Sequence, residues 1–208
     1  MKEEKKATRQ SYGETLEKLG EKYSDIVVLD ADLATATKTI NFAKKFPERF
    51  FDMGIAEANM MSTAAGMATT GKVPFASTFA VFAAGRSYDQ IRNSICYPNL
   101  NVKICSTHSG ITVGEDGATH QMLEDISMMR TLPNMKVLSP ADDIETKWAI
   151  EEAYKQKGPV YVRLSRLATP IIYGEDQKFE FGKMIQFGSG IDATIFASRR
   201  CASRSIKS

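Results

Sequence analysis

Six short apolar or β-branched runs, each separated from the next by a segment of helical character, set the strongest limit on how this chain can fold. The runs are DIVVLDADL, RFFDM, KVPFAST, NVKICST, MKVLSP and PVYVRLSR. Strands that alternate with helices are joined by crossovers, which make a sheet parallel and cover both its faces. The expected fold class is therefore α/β, a doubly wound and mainly parallel sheet with helices on both faces.

The intervening segments carry helix signals. ATRQSYGETLEKLGEKY has a helix-start residue in Thr8 and places Tyr12, Leu16 and Leu19 at helical spacing. TATKTINFAKKFPERF predicts a second, shorter helix stopped at Pro47, because proline lacks an N–H and clashes with the preceding turn. TFAVFAAGRSYDQIRNSICY, MLEDISMMRTL and DDIETKWAIEEAYKQKG read as further helices, the last capped by Gly158. Between the runs RFFDM and KVPFAST, a turn at Gly54 leads into a buried helix rich in Ala and Met. Glu57 falls in its first turn, where the helix dipole and free amides favour a carboxylate. Pattern alone favours a helix-start glutamate over a catalytic one.

The chain has 208 residues, 43% hydrophobic and 25% charged, enough for one good core and the beginning of a second domain. A net charge of +2 argues against nucleic acid or a membrane surface as partner. The start lacks the apolar core of a signal peptide, and no window approaches the roughly 18 apolar residues of a membrane span, so the cytoplasm is the expected compartment. Cys96, Cys105 and Cys201 are odd in number and lack CxxC spacing. They read as reduced thiols, two of them in the core.

Single motifs have bland explanations. GMATTGKV, Gly66–Val73, nearly spells a P-loop, but Val73 stands where a hydroxyl should hold magnesium, and the glycines end a helix instead of opening one. The only two histidines, His108 and His120, bracket the turn GEDG, which contains Glu115 and Asp116; their spacing matches no standard zinc site. Loops this polar usually carry function. Phe79 and Phe82 read as core, Arg9 and Arg166 as surface charges, and Asp30 and Asp32 as strand terminators or as residues of a functional loop.

Taken in order, the segments ATRQSYGETLEKLG, LDADL, GIAEANMMSTAAGMA, PFASTFAVF, YDQIR, THSGITVGEDGATHQ, LPNMKVLSPAD and VRLSR resemble the thiamine diphosphate enzymes of the transketolase type. The likeness spans residues 7 to about 190. It implies a pyrimidine-binding domain over residues 1–172 and a connector over 173–190. Residues 191–208 would be the truncated start of a carboxyl-terminal domain, with a strand at IDATIFA and a disordered basic tail.

The resemblance also implies roles. Glu57 would hydrogen-bond the aminopyrimidine of thiamine diphosphate and help convert its amine to the imino form, the base that deprotonates the thiazolium. Phe79 and Phe82 would wall and stack on the pyrimidine, and Asp32 would belong to the cofactor site. His108 and His120 would contact substrate and intermediate, and Asp116 would read a sugar hydroxyl. Arg9 and Arg166 would bind phosphate, which guanidinium grips in a fork that lysine cannot copy. In LATATKT the chain lacks the serine some members use on phosphate, and His120 is not constant in the family.

No GDG segment followed by a paired asparagine, the family's metal and diphosphate signature, is present in the sequence. The magnesium and diphosphate contacts are therefore expected from a partner, an amino-terminal transketolase subunit, in a homodimer or heterotetramer. The leading expectation is a ketol transferase acting on sugar phosphates. A 1-deoxyxylulose-5-phosphate synthase-like enzyme or a 2-oxo acid dehydrogenase beta-like subunit is the neighbouring alternative. A folded but inactive fragment acting through association is the third.

Overall fold

A computed structural model of the chain describes residues 4–198 and 200–205. In order, the elements are β1 (Lys5–Ala7), α1 (Thr8–Lys22), β2 (Ile26–Asp30), α2 (Ala34–Thr37), α3 (Ile40–Lys45), β3 (Phe50–Asp52), α4 (Glu57–Thr69), β4 (Val73–Phe79), α5 (Tyr88–Gln90) and β5 (Lys103–Thr107). There follow α6 (Asp125–Arg130), β6 (Lys136–Leu138), α7 (Asp143–Lys155), β7 (Val160–Arg163), β8 (Ala168–Pro170) and α8 (Arg200–Ser205). All six expected runs form strands of one parallel sheet, in the order β3-β2-β4-β5-β7-β6. No helix among the described residues is long and apolar enough to cross a membrane.

Period-two alternation along the central strands supplies both faces of the sheet. Ile26, Val28, Phe75 and Val162 point towards Tyr12 and Leu16 of α1 and Ile150 of α7. Val27, Leu29, Ala76 and Ile104 point the other way, towards Met60 and Met61 of α4, Ile91, Ile95 and Met129. Each such side chain, fully buried, stabilises by about 1.5–3 kcal/mol. Cys96 and Cys105 are free thiols in these cores, and Cys201 is exposed.

Several local expectations change, each for a physical reason. α1 begins at Thr8 as expected, but the hydroxyl caps no helix amide; its Oγ1 accepts the Ser165 N–H at 2.7 Å and so fastens the helix to the segment after β7. The helix expected before Pro47 is broken into α2 and α3, with Lys38 left-handed between them at φ 75°. Thr37 and Thr39 donate their hydroxyls to the buried Asp30 carboxylate at 2.7 and 2.9 Å, which competes with a continuous helix. In the segment 78–97, β4 takes Thr78 and Phe79, and the rest winds as π turns, Val81–Arg86 and Ile91–Cys96, on either side of α5.

Gly158 is not the cap of α7, which ends at Lys155; it turns at φ 86° where a Cβ would lie 2.5 Å from Asn99 Oδ1. Residues 191–198 form no strand, and Ile191, Ile195 and Phe196 are exposed. The expected disordered tail holds the helix α8 within its described part, while residues 206–208 lie outside the described residues. A short antiparallel pair, β1 with β8, was not expected; it ties the start of the domain to residues 168–170.

Lys103, at the start of β5, is completely buried and donates to Asn101 Oδ1, Gln156 O and Gly158 O at 2.6–2.9 Å. Burial, helped by the Lys136 and Lys157 charges, lowers its pKa from 10.5 to about 7. Between those values the unfolded chain holds the extra proton, so stability rises with pH across that window. The melting temperature is expected to climb from pH 7 towards 10, and Lys103→Met to flatten the climb. An equal climb in both proteins would contradict this assignment.

Candidate active site

Parallel sheets gather ligands outside the carboxyl ends of their strands, at the point where successive connections leave in opposite directions. Here that point lies between β2, which connects outward to β3, and β4, which is followed on its other side by β5. Most of the residues singled out in the sequence lie along this edge. Asp32 lies two residues past β2, Phe79 ends β4, His108 follows β5, and Arg166 lies three past β7. Glu57 opens α4 after the Gly54 turn, whose φ is 65°. Asp32 and His108 both have positive φ, 60° and 55°, a conformation uncommon outside glycine and often found at functional sites.

Phe79 is the hub. Its ring stacks on the His108 imidazole at 3.8 Å and lies nearly parallel to Phe82 at 5.9 Å. His120 meets both phenylalanines edge-on, at 6.2 and 5.4 Å. The loop between the histidines returns through a bridge of Gly110 with Met122, which brings His120 back over the strand ends. His108 is buried, and its Nδ1 shares a 2.9 Å hydrogen bond with Thr107 Oγ1. Burial above all, then the Arg9, Arg166 and His120 charges, lowers its pKa from 6.5 to about 3, so the imidazole is neutral at physiological pH.

Glu57 is 2% exposed, and Arg86 Nη1 reaches both its carboxylate oxygens at 2.9 Å. The same guanidinium sits 4.3 Å above the Phe82 ring, which joins Glu57 to the aromatic cluster. Arg86 was not singled out in the sequence. Its position four residues after Phe82 in a helical stretch is the signal that could have found it.

Arg9 and Arg166 lie close enough for each to act electrostatically on His108. Arg9 donates to the Ala36 carbonyl at 2.8 Å, and its buried Nε has no hydrogen-bond partner among the described residues. Arg166 is held by Glu115 through two bonds of 2.9 and 3.0 Å and by the Val113 carbonyl at 2.7 Å. The Glu115 bonds raise its pKa, whereas burial and the Arg166 charge lower that of Arg9. Asp116 is exposed and adds its charge to the field at Arg166. Asp32 stands apart: it is exposed, and its backbone N–H donates to Asp52 Oδ1 at 3.0 Å. No group of three His, Cys, Asp or Glu side chains among the described residues is arranged to hold a metal.

Residues 4–171 match the family model described as transketolase, pyrimidine binding domain. The chain belongs to the transketolase family. It is 56% identical over 195 residues to a putative transketolase C-terminal section from Methanocaldococcus jannaschii, covering 93% of this chain and 62% of that protein. It is 41% identical over 181 residues to the transketolase of Homo sapiens, covering 86% of this chain and 29% of that one. A solved structure described as a split gene transketolase, inactive beta4 tetramer, superposes with a TM-score of 0.77 at 56% identity, over 85% of this chain and 57% of that one. The chain thus spans less than two thirds of each of these transketolases.

Proposed function

We propose that this chain is the pyrimidine-binding subunit of a thiamine diphosphate-dependent transketolase, acting on sugar phosphates together with an amino-terminal subunit that holds the diphosphate and magnesium. The observation that carries the reading is Glu57, a buried carboxylate joined through Arg86 to an aromatic cluster at the switch point of the sheet. Residues 1–172 are taken as the pyrimidine-binding domain and 173–190 as a connector.

The residues present suit an aminopyrimidine. An ionised carboxylate offers about four lone-pair sites. Arg86 Nη1 takes one on each oxygen in the free chain, positions that a ring N–H can take in its stead. Phe79 and Phe82 supply apolar ring surface beside it, and Asp32 lies on the loop next to the Arg9 contact. When bound, thiamine diphosphate supplies a carbon that accepts a two-carbon ketol unit and stabilises its negative charge.

This chain's own groups then have distinct work. Glu57 holds a proton-bearing ring nitrogen in a desolvated place where the interaction is strong. Neutral His108 accepts or donates a hydrogen bond at the reacting carbons without carrying charge there, and His120 closes the other side. Arg9 and Arg166 take the phosphate, with the Arg9 Nε as the donor still unsatisfied. Asp116, on the exposed loop beside Arg166, reads a sugar hydroxyl. The expected compartment is the cytoplasm, and the assembly a homodimer or heterotetramer completed by the partner.

Calorimetry tests the shared cofactor site. Thiamine diphosphate with magnesium is expected to bind the two-subunit complex and not this chain alone; equal binding by this chain alone contradicts the split site. The phosphate role has its own test in Gly114, whose φ is 86° and whose added Cβ would sit 1.7 Å from Arg166 Nη1. Gly114→Ala must displace that guanidinium. Losing a charged hydrogen bond costs about 1.5–3 kcal/mol, so KM for a phosphorylated ketose is expected to rise roughly tenfold or more. KM for an unphosphorylated ketose should hardly move, and equal effects on both would remove the phosphate assignment.

A further inference from the structure

The reading of Glu57 as the cofactor's ligand leaves Arg86 to be explained. Its Nη1 lies 2.9 Å from each Glu57 oxygen, and its guanidinium lies 4.3 Å above the Phe82 ring. A carboxylate as buried as Glu57 is costly without a counter-ion, and a chain that folds apart from its cofactor must supply one itself. Arg86 is that counter-ion, yet its side chain is 51% exposed while Glu57 is 2% exposed. The cation therefore covers the carboxylate from the solvent side, and swinging away breaks only its bonds to Glu57 and its contact with the Phe82 ring.

Local winding puts it there. Residues Val81–Arg86 form a π turn, in which the Ser87 N–H reaches the Phe82 carbonyl at 3.2 Å. Such turns are rare and occur often at functional sites. In this arrangement a planar group bearing N–H donors lies on an aromatic face and on both oxygens of a buried carboxylate. Those are the features a protonated or N–H-bearing aminopyrimidine would use.

We propose that Arg86 is a built-in placeholder for the cofactor's aminopyrimidine: it neutralises Glu57 in the free subunit and turns out into solvent when the cofactor docks. This rests on the assignment of Glu57 above. Arg86 is thus a gate on cofactor entry, and its removal favours binding.

The test uses the complex with the diphosphate-domain subunit, thiamine diphosphate with magnesium as the probe, and calorimetric affinity as the readout. Arg86→Ala is expected to bind about tenfold more tightly than wild type, and Arg86→Lys, which keeps the charge without the planar fork, to fall between them. Nitrogen-15 spectra of labelled arginine should show the Arg86 guanidinium protons protected from exchange in the wild-type chain, exposed in Glu57→Gln, and exposed again once the wild-type complex is loaded. Unchanged or weaker binding in both Arg86 variants, or protection that persists in the loaded complex, overturns the placeholder. Should Glu57→Gln bind as tightly as wild type, or the wild-type complex not bind at all, the Glu57 assignment itself fails and takes the placeholder with it.

Discussion

Glu57→Gln is expected to abolish ketol transfer by the proposed two-subunit complex while leaving this chain folded. Glutamine fills the same volume at the start of α4, so the packing of Met60 and Met61 behind it is preserved. The charge is lost, and with it the hold on a proton-bearing ring nitrogen. Acid–base groups of this kind contribute about 10²–10⁴-fold to rate, so kcat is expected to fall by at least two orders of magnitude. Arg86 loses its partner, but a half-exposed guanidinium is readily solvated, and the melting temperature should move little. A variant that keeps more than a tenth of wild-type kcat would remove Glu57 from the chemistry.

A second large effect concerns stability. Asp125, completely buried at the start of α6, accepts Arg163 Nε at 2.7 Å and the Tyr161 hydroxyl at 2.9 Å through one oxygen. Its other oxygen is buried without a partner among the described residues. Arg163 is itself nearly buried at the end of β7, so Asp125→Ala leaves an uncompensated cation beneath the site. Breaking such a pair from one side costs about 3–5 kcal/mol. For a chain of this size that corresponds to a fall in melting temperature on the order of 10 °C. Asp125→Asn, which keeps an acceptor, should lose markedly less. Equal and small losses in both variants would show that the pair is solvated and not part of the core.

Much of the fold could be read because the chemistry that forms each strand is local. Val, Ile and Leu in runs such as DIVVL and VYVRL suit a pleated strand covered on both faces, and all six runs became strands. What could not be read depends on partners in other elements. Thr37 and Thr39 look like ordinary helix residues until the carboxylate of Asp30, seven and nine residues earlier at the buried end of β2, draws their hydroxyls away and breaks the helix. Burial raises the Asp30 pKa to about 6, which is also invisible in the residue itself. The π turns escaped because six residues cannot distinguish their winding from that of an α-helix by apolar spacing. IDATIFA has the residues of a strand and no neighbour to pair with, and propensity without a partner does not make one.

The site was legible as types of residue and less so as an arrangement. Phe79, Phe82, His108 and His120 do converge, because the loop after β5 folds back through the Gly110 and Met122 bridge. Glu57 does open α4, as its position suggests, but its carboxylate is buried beneath Arg86. Arg9 and Arg166 are held at the site by contacts that only the folded chain shows, Arg9 on the Ala36 carbonyl and Arg166 on Glu115. Asp32 remains outside the aromatic cluster, its backbone N–H bonded to Asp52.

The most direct measurement is ketol transfer from xylulose 5-phosphate to ribose 5-phosphate, with thiamine diphosphate and magnesium, as the diphosphate-domain subunit is titrated into this chain. Activity is expected to be absent without the second subunit, to rise to a plateau as it is added, and to vanish with Glu57→Ala. Transfer by this chain alone, or no transfer from a folded and associated complex, would contradict its assignment as one half of a transketolase.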